Sequence, residues 1–394
     1  RSPPVIRLKL GSVLTHACAG VALFYAVRSA RYAAGWIRVP IVTESDDATL
    51  VSIVVPARDE ERSIERCVRS LLAQDLCNFE VIVVDDRSTD RTGEILRELA
   101  SDDNRLRVIT GETLPEGWVG KPWALVQGAR LARGSWLLFT DADSYHEPFA
   151  TRSVLAFAQA AEVDAVTIAT RQELGTFWER AVLPAILGIV LFTIGTFDEI
   201  NDPTNPVAIA NGQYIFISRR AYTALGGHGA VRGQIVEDLE FARFMKRDGR
   251  FRMILAGGED LASVRMYRSL REIWDGFTKN VYLGAEGRPE RLLGGVIFLV
   301  ALSVGPPLLA LNAGLRRRPL EAVEAIAASA TVIATATWAV GQTKMSRWLG
   351  VFAPLGFAML AGITVNSTIR VLSGRGVSWR GRNYSGHYEP TKTD

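Results

Sequence analysis

Apolar residues occur in two distinct patterns along this chain, and the two predict different kinds of element. Between residues 48 and about 170 they form short runs without apolar–polar alternation: Val51-Ser52-Ile53-Val54-Val55, Glu80 to Val84, Leu106 to Ile109, and Trp136 to Thr140. Such a run predicts a strand covered on both faces, as in a parallel sheet. Helical periodicity separates the runs. Ser63 to Gln74 repeats Ile64, Cys67, Val68, Leu71 and Leu72 on one face. Thr92 to Leu99 follows the N-cap residue Asp90, and a third helix runs from Pro122, in its first turn, to Ala132, with Gly134 ending it. Strand and helix alternate four times over short connections, which predicts βαβ units. Asp164 to Ala169 and Tyr214 to Ser218 are further strands. Glu237-Asp238 opens a helix through Phe241, Phe244 and Met245, and Arg265 to Asn280 is a basic-aromatic helix.

The second pattern is long and uncharged. Leu10 to Val27 holds 18 residues between basic flanks, close to the ~20 that span a bilayer. It is read as an anchor; a signal peptide would need a small-residue cleavage site and a secreted domain after it. Ala181 to Phe197 contains Pro184 and is short for a span. An interfacial or re-entrant segment and a buried core helix are both open there, and the interfacial version is favoured because it brings lipid to the crevice. Leu292 to Leu315, with Gly305-Pro306-Pro307 at its centre, Ala325 to Val340, and Trp348 to Ile369 are the remaining runs. If all three cross and the soluble part is cytosolic, Arg316-Arg317-Arg318 and the basic tail (Arg370, Arg375, Arg380, Arg382) face outward, against the positive-inside rule. A hairpin at Pro306-Pro307 that does not cross keeps both clusters cytosolic.

Size and charge narrow the classes. A chain of 394 residues is long enough for about two domains. A net charge of +3 gives no field for nucleic acid. Cys18, Cys67 and Cys77 lack metal-ligand spacing and imply no disulfide framework. His16, His146, His228 and His387 include no zinc-spaced pair.

The chemistry collects where parallel strands end. Asp59/Glu60, Asp85/Asp86 and Asp141/Asp143 each follow a strand, on the edge where open α/β sheets bind ligands. Two carboxylates one residue apart suit a divalent cation that also holds phosphate; an isolated Asp-Ala-Asp is more often a polar turn. No Gly-x-Gly-x-x-Gly or P-loop occurs, so a diphosphate needs other neutralisation, by a metal and by Lys121 or Arg58. Lys121, in a helix's first turn, reads equally as a solvated charge. Glu237 and Asp238 read as dipole-stabilised N-terminal acids or as a base beside the crevice. Arg268, Arg271 and Lys279 suit a diphosphate leaving group or anionic headgroups.

Taken together, Val54-Val55-Pro56-Ala57-Arg58-Asp59-Glu60, Val84-Asp85-Asp86-Arg87-Ser88-Thr89-Asp90, Gly120-Lys121-Pro122-Trp123-Ala124-Leu125, Thr140-Asp141-Ala142-Asp143 and Glu237-Asp238 resemble the family 2 glycosyltransferases, inverting enzymes of GT-A fold. The anchor, the Gly-Lys segment and the apolar tail resemble its lipid-directed branch, which includes ceramide, carotenoid-acid and hopanoid-associated transferases. Residues 377–384 resemble a carotenoid-branch ending. The resemblance implies donor-binding roles for Pro56, Ala57, Arg58, Glu60, Asp86, Lys121 and Asp141. It implies Mg²⁺ or Mn²⁺ on Asp143, and Asp238 as catalytic base beside Glu237. Arg268, Arg271 and Trp274 fall on the diphosphate and acceptor side. The usual Gln-x-x-Arg-Trp is altered: Glu272 follows Arg271, and the Trp comes at 274, which speaks against a processive synthase.

The expected architecture is an α/β, GT-A type (Rossmann-like, mostly parallel) cytosolic domain at 48–285, behind an anchor at 1–42. Transmembrane or re-entrant segments at 286–373 and a basic cytosolic tail at 374–394 follow. The expected function is transfer from a nucleotide-sugar, a UDP-hexose, to a lipid or isoprenoid hydroxyl or carboxyl at the cell membrane. A nucleotidyltransferase and an inactive nucleotide-binding membrane scaffold are the rivals.

Overall fold

The computed structural model describes residues 10–43, 48–284, 289–373, 377–379 and 382–384. The acidic linker, apart from Thr43, and most of the expected tail lie outside them. Two short strands of the tail, Val377–Trp379 and Arg382–Tyr384, pair antiparallel. The chain forms two compact units that interleave in sequence. One holds the described residues of 35–173 and 194–266, and the other those of 10–34, 174–193 and 267–384. The single segment expected at 48–285 is thus interrupted: 174–193 and 267–284 go with the second unit. Residues 35–42, assigned above to the anchor, go with the first. The reason for this last shift is backbone pairing. Val39 N–H donates to the Gly257 carbonyl (3.0 Å) and Gly257 N–H to the Ile37 carbonyl (2.7 Å), so the segment joins a sheet edge.

The first unit is built on a seven-stranded sheet. Its strands are β1 (Val51–Ala57), β2 (Phe79–Asp85), β3 (Leu106–Thr110), β4 (Trp136–Phe139), β6 (Ala165–Ala169), β8 (Ile215–Ser218) and β9 (Met253–Gly257), in the order β3-β2-β1-β4-β8-β6-β9. A small second sheet holds β5 (Ser144–His146), β7 (Arg171–Gln172) and β10 (Ala262–Val264). Strands β3, β2, β1 and β4 are parallel, as the alternating pattern predicts. Strand β8 runs antiparallel to both neighbours. Strand β9, although Met253 to Ala256 is an apolar run, and the three-residue β10 are not among the expected strands.

Both faces of the sheet are covered. Ile53 and Val55 point into one core cluster, with Cys67, Leu71 and Leu96, while Val54 joins the opposite one, with Leu125, Phe139 and Phe241. That is why β1 shows no alternation. Truncating a side chain such as Ile53 to alanine costs roughly 2–5 kcal/mol. The register aligns Ala57 with Asp85, so the loops after β1 and β2 leave from one rim. Phe139 pairs with Ile215 of antiparallel β8, so residues 211–214 enter at the rim where β4 exits.

The second unit is helical. Leu10–Ala34, Phe177–Ile194, Pro319–Gln342 and Arg347–Arg370 are each long and apolar enough to cross a membrane. The segment at 181–197, expected above to be too short, begins earlier. Glu179 accepts from the Gly175 N–H (2.8 Å) and the Thr176 N–H (2.9 Å), which caps the helix and adds a first turn. It packs closely on Gly356, where a Cβ would lie 3.1 Å from the Val182 carbonyl. The expected hairpin at Pro306-Pro307 does not form. Glu290–Leu302 and Gly305–Leu315 meet at a 52° bend, short of a reversal. Both prolines sit in the first turn of the second helix, where their missing N–H groups have no intrahelical acceptor to lose, and the break falls before them. His16 meets Glu324 at 2.7 Å.

Candidate active site

The rim of the first unit carries two different constructions. The loops after β1 and β2 form the first, and local hydrogen bonds knit them together. Asp86 N–H donates to the Ala57 carbonyl (2.8 Å), and Arg58 Nη1 to the Asp86 carbonyl (2.8 Å). The guanidinium also lies 3.6 Å from the buried Asp86 carboxylate. Asp59 has φ 54°, a conformation asparagine and aspartate tolerate best among non-glycine residues, and its carboxylate accepts from the Thr89 N–H (2.7 Å). Glu60 N–H donates to Thr92 Oγ1 (2.7 Å), and its carboxylate accepts from Ser63. Asp90 accepts from the Thr92 N–H (3.0 Å), so it caps the helix from one residue further back than a standard N-cap. After β3, Gly111 N–H donates to the Asp85 carbonyl (2.7 Å). A Cβ at Gly111 would stand 3.1 Å from the Asp86 Cα, so only glycine leaves Asp86 this close a neighbour. Pro56 and Ala57 end β1 directly above.

The second construction is made of charge. Lys121, in the first turn of helix Gly120–Leu131, places Nζ 2.6 Å from Asp141 and 2.8 Å from Glu237. Asp238 Oδ2 accepts from the Gly212 N–H (2.9 Å) and Oδ1 from the Leu239 N–H (2.8 Å). Burial, and next the Glu237 charge, push the Asp238 carboxyl up to about 6, against the pull of Lys121 and the two N–H groups. Burial opposes the Lys121 charge too, but Asp141, Glu237 and Asp238 outweigh it and hold the ammonium well above its ordinary value.

The Asp141 segment is a turn, closed by Ser144 N–H on the Asp141 carbonyl (3.2 Å), yet the Asp141 carboxylate reaches out of it to Lys121. A buried network holds that turn in place. Thr140 Oγ1 donates to the Gln213 carbonyl (2.7 Å) and lies 3.0 Å from His146 Nε2, which therefore carries the proton. Burial pushes the His146 imidazole down to about 3, so it is neutral. His228, also fully buried, is pushed down to about 4 by burial and lies against Phe241 and Phe139.

Among the described residues no group of three His, Cys, Asp or Glu side chains is placed to hold a metal. Asp143 follows Asp141 in the same turn and supplies a hard oxygen donor. That suits a Mg²⁺-type ion which takes one or two carboxylates and completes its shell with substrate phosphates. Arg268, Arg271 and Trp274 belong to the helical unit. Arg268 and Arg271 are exposed, and Arg271 lies 3.7 Å from Asp275. The Trp274 ring lies 3.3 Å from where a Cβ on Gly362 would stand, so it is a packing residue of that unit.

Gly212 is the residue sequence reading passed over. A Cβ there would stand 3.0 Å from both Asp238 Oδ2 and Lys121 Nζ. The only signal is Asn211-Gly212-Gln213 before a strand, and it reads as a turn.

Comparison with known proteins follows this geometry. The profile of Glycosyl transferase family 2 matches residues 52–226, which hold every proposed donor residue. The chain is 25% identical over 292 residues to a 4,4'-diaponeurosporenoate glycosyltransferase of Staphylococcus haemolyticus, covering 72% of this chain and 74% of that one. It is 24% identical over 344 residues to the enzyme of that name from Staphylococcus aureus, covering 85% and 88%. Its fold is like that of a mannosyltransferase from Pyrobaculum calidifontis, solved in complex with GDP-Man and Mn²⁺. That likeness has a TM-score of 0.51 at 19% identity and covers 92% of this chain and 97% of that one. The mostly parallel sheet, the rim it presents and the profile agree: residues 52–226 match a Glycosyl transferase family 2 domain, and the fold is of GT-A type.

Proposed function

We propose that this protein moves a hexose from a nucleoside diphosphate sugar, UDP-hexose by preference, to a hydroxyl or carboxyl oxygen of an isoprenoid or other lipid, with inversion. The observation that carries the reading is Asp238, fixed at the rim by two backbone N–H groups and raised to about 6. A group ionised just below neutral pH is suited to take a proton from an attacking hydroxyl. A single displacement at the anomeric carbon needs no second carboxylate nucleophile, unlike retaining glycosidases. The nucleoside lies along Pro56, Ala57 and Arg58 with Asp86, with Glu60 holding the loop behind them.

Asp143 would hold Mg²⁺ or Mn²⁺, which when bound would supply charge neutralisation to the leaving group. Asp141 orients the ribose side. Arg268 and Arg271 serve the diphosphate or acceptor headgroup. The names of the staphylococcal relatives favour an isoprenoid carboxylic acid as acceptor. Such an acid arrives already ionised, so it asks less of Asp238 than a hydroxyl does. The apolar helices keep the protein at the cell membrane, with the catalytic unit on the cytosolic side where nucleotide sugars are made.

The test is nucleoside diphosphate release by purified protein in detergent, with a panel of nucleotide sugars and Mn²⁺, with and without lipid extract. Release that lipid stimulates and Asp143→Ala abolishes supports the reading. Nucleotide binding without release from any donor moves the assignment to a nucleotidyltransferase or an inactive scaffold.

A further inference from the structure

Lys121 is engaged on two sides before any donor arrives. Its ammonium lies 2.6 Å from Asp141 and 2.8 Å from Glu237, and Asp238 adds a third negative charge beside it. The absent side chain of Gly212 lets Nζ and Asp238 Oδ2 approach the same point, each 3.0 Å from where a Cβ would be. His228, buried nearby and acted on by Glu237 and Lys121, is neutral and adds no cation. If Lys121 turned to a diphosphate, it would give up both its 2.6 Å ion pair with Asp141 and its 2.8 Å ion pair with Glu237. A partly buried charge that loses its partner is strongly destabilised.

We propose that Lys121 is a positioning residue: its ammonium is the fixed counter-charge that binds Asp141, Glu237 and Asp238 into one wall, and it does not ligate the diphosphate. This rests on the reading of Asp238 as base. The wall carries one positive and three negative charges when Asp238 is ionised. Without Lys121, like-charge repulsion favours protonated Asp238, and Asp141 and Glu237 swing apart. Donor affinity, set mainly by the loops after β1 and β2, changes only through the Asp141 contact to the ribose side, and falls far less than turnover.

The experiment uses the full chain in detergent with Mn²⁺. Calorimetric UDP binding and steady-state transfer to a lipid alcohol, which must lose a proton, are compared for wild type, Lys121→Met, Lys121→Gln, Glu237→Gln, the double variant and Asp238→Asn. Expected for Lys121→Met is UDP affinity within about threefold of wild type and kcat lower by about 100-fold. The double variant, which removes one charge of each sign, is expected to recover at least about tenfold of that loss, the signature of coupled neighbours. UDP affinity that falls in step with kcat/KM would make Lys121 a diphosphate ligand and overturn the proposal. A double variant no better than Lys121→Met also overturns it, as does loss of UDP binding in both Lys121→Met and Lys121→Gln. Asp238→Asn separates the two claims: wild-type turnover there defeats the base assignment, whatever the lysine variants do.

Discussion

The sheet of the first unit carries a carboxylate cluster at each end, and the two are opposites. At the amino end, Glu80 is buried and accepts from Ser52 Oγ (2.8 Å), the Arg133 N–H (2.7 Å) and Arg133 Nε (3.0 Å). Burial alone would raise its pKa, but those donors outweigh burial and hold it below its ordinary value. At the carboxyl end, Asp238 accepts from two backbone N–H groups, yet burial and Glu237 win and raise it. A neighbouring cation and ample donors make a carboxylate a clamp; a neighbouring anion leaves its proton exchangeable near neutral pH. The first kind of cluster ties β1, β2 and the start of β4 together, and the second is placed to do chemistry.

The largest effect separates these roles at the carboxyl end. Asp238→Asn keeps the shape and removes the base. With a hydroxyl acceptor, kcat is expected to fall by about 10³-fold, the middle of the range for general base catalysis, while UDP affinity stays near wild type. With a carboxylic acid acceptor, which needs no deprotonation, the same variant loses far less. Parallel assays with a lipid alcohol and a lipid acid measure both, and equal losses would break the assignment of Asp238 as proton acceptor. Next in size is Glu80→Gln at the amino end. An amide turned toward Arg133 and Ser52 leaves donors facing a donor. Stability is expected to fall by about 2 kcal/mol, read as a lower melting temperature, with turnover per folded molecule unchanged.

How far these clusters were legible in the sequence follows from the same contrast. The strand ends, and the acids on Asp59, Asp86 and Asp141, show locally, because a short apolar run stopped by charge is one contiguous pattern. The amino-end clamp joins residues 52, 80 and 133, and the charge wall joins 121, 141, 212, 237 and 238. Only the packing of strands and helices in the folded unit brings these sets together. Gly134 shows the cost of local reading. It looks like a helix terminator, but the helix ends at Leu131, and Gly134 is there because a Cβ would stand 2.6 Å from the Ser52 backbone nitrogen. The bend at 303–304 was misplaced for a related reason: a proline pair disfavours helix interior but is accommodated in a first turn.

Two glycines sharpen the comparison at smaller cost. Gly134→Ala drives a Cβ into backbone, which cannot move without shifting β1, so about 1–3 kcal/mol of stability is expected to go with little loss of turnover. Gly212→Ala meets only the ends of Asp238 and Lys121, which move by a few tenths of an ångström. Turnover is expected to fall by about tenfold while the melting temperature barely changes, since small misplacements at a reacting group are costly. Thermal melts and kcat on the same preparations test both; a reversed pattern would mean that the amino-end cluster is the functional one.

The smallest effects are those of pH, and their signs differ between the two ends. Asp238 must be ionised to accept a proton. With its pKa at about 6, kcat/KM for a hydroxyl acceptor is expected to fall as pH drops through 6, where an ordinary aspartate, at 3.8, would hold its activity. Glu80 is depressed, so its contribution to stability is complete above its ordinary value of 4.5 and is lost as pH falls through its lower folded value. Lowering pH from 7 to 5 should therefore remove activity while the Glu80 clamp stays intact, and Glu80→Gln should melt at a lower temperature than wild type by the same margin at both. In acid, as wild-type Glu80 takes up its proton, that margin should close. An activity limb near pH 6 that persists in Asp238→Asn would assign the titration to another group. A margin that closes near pH 6 as well would mean the two carboxylates titrate alike, and the contrast between the ends of the sheet would fail.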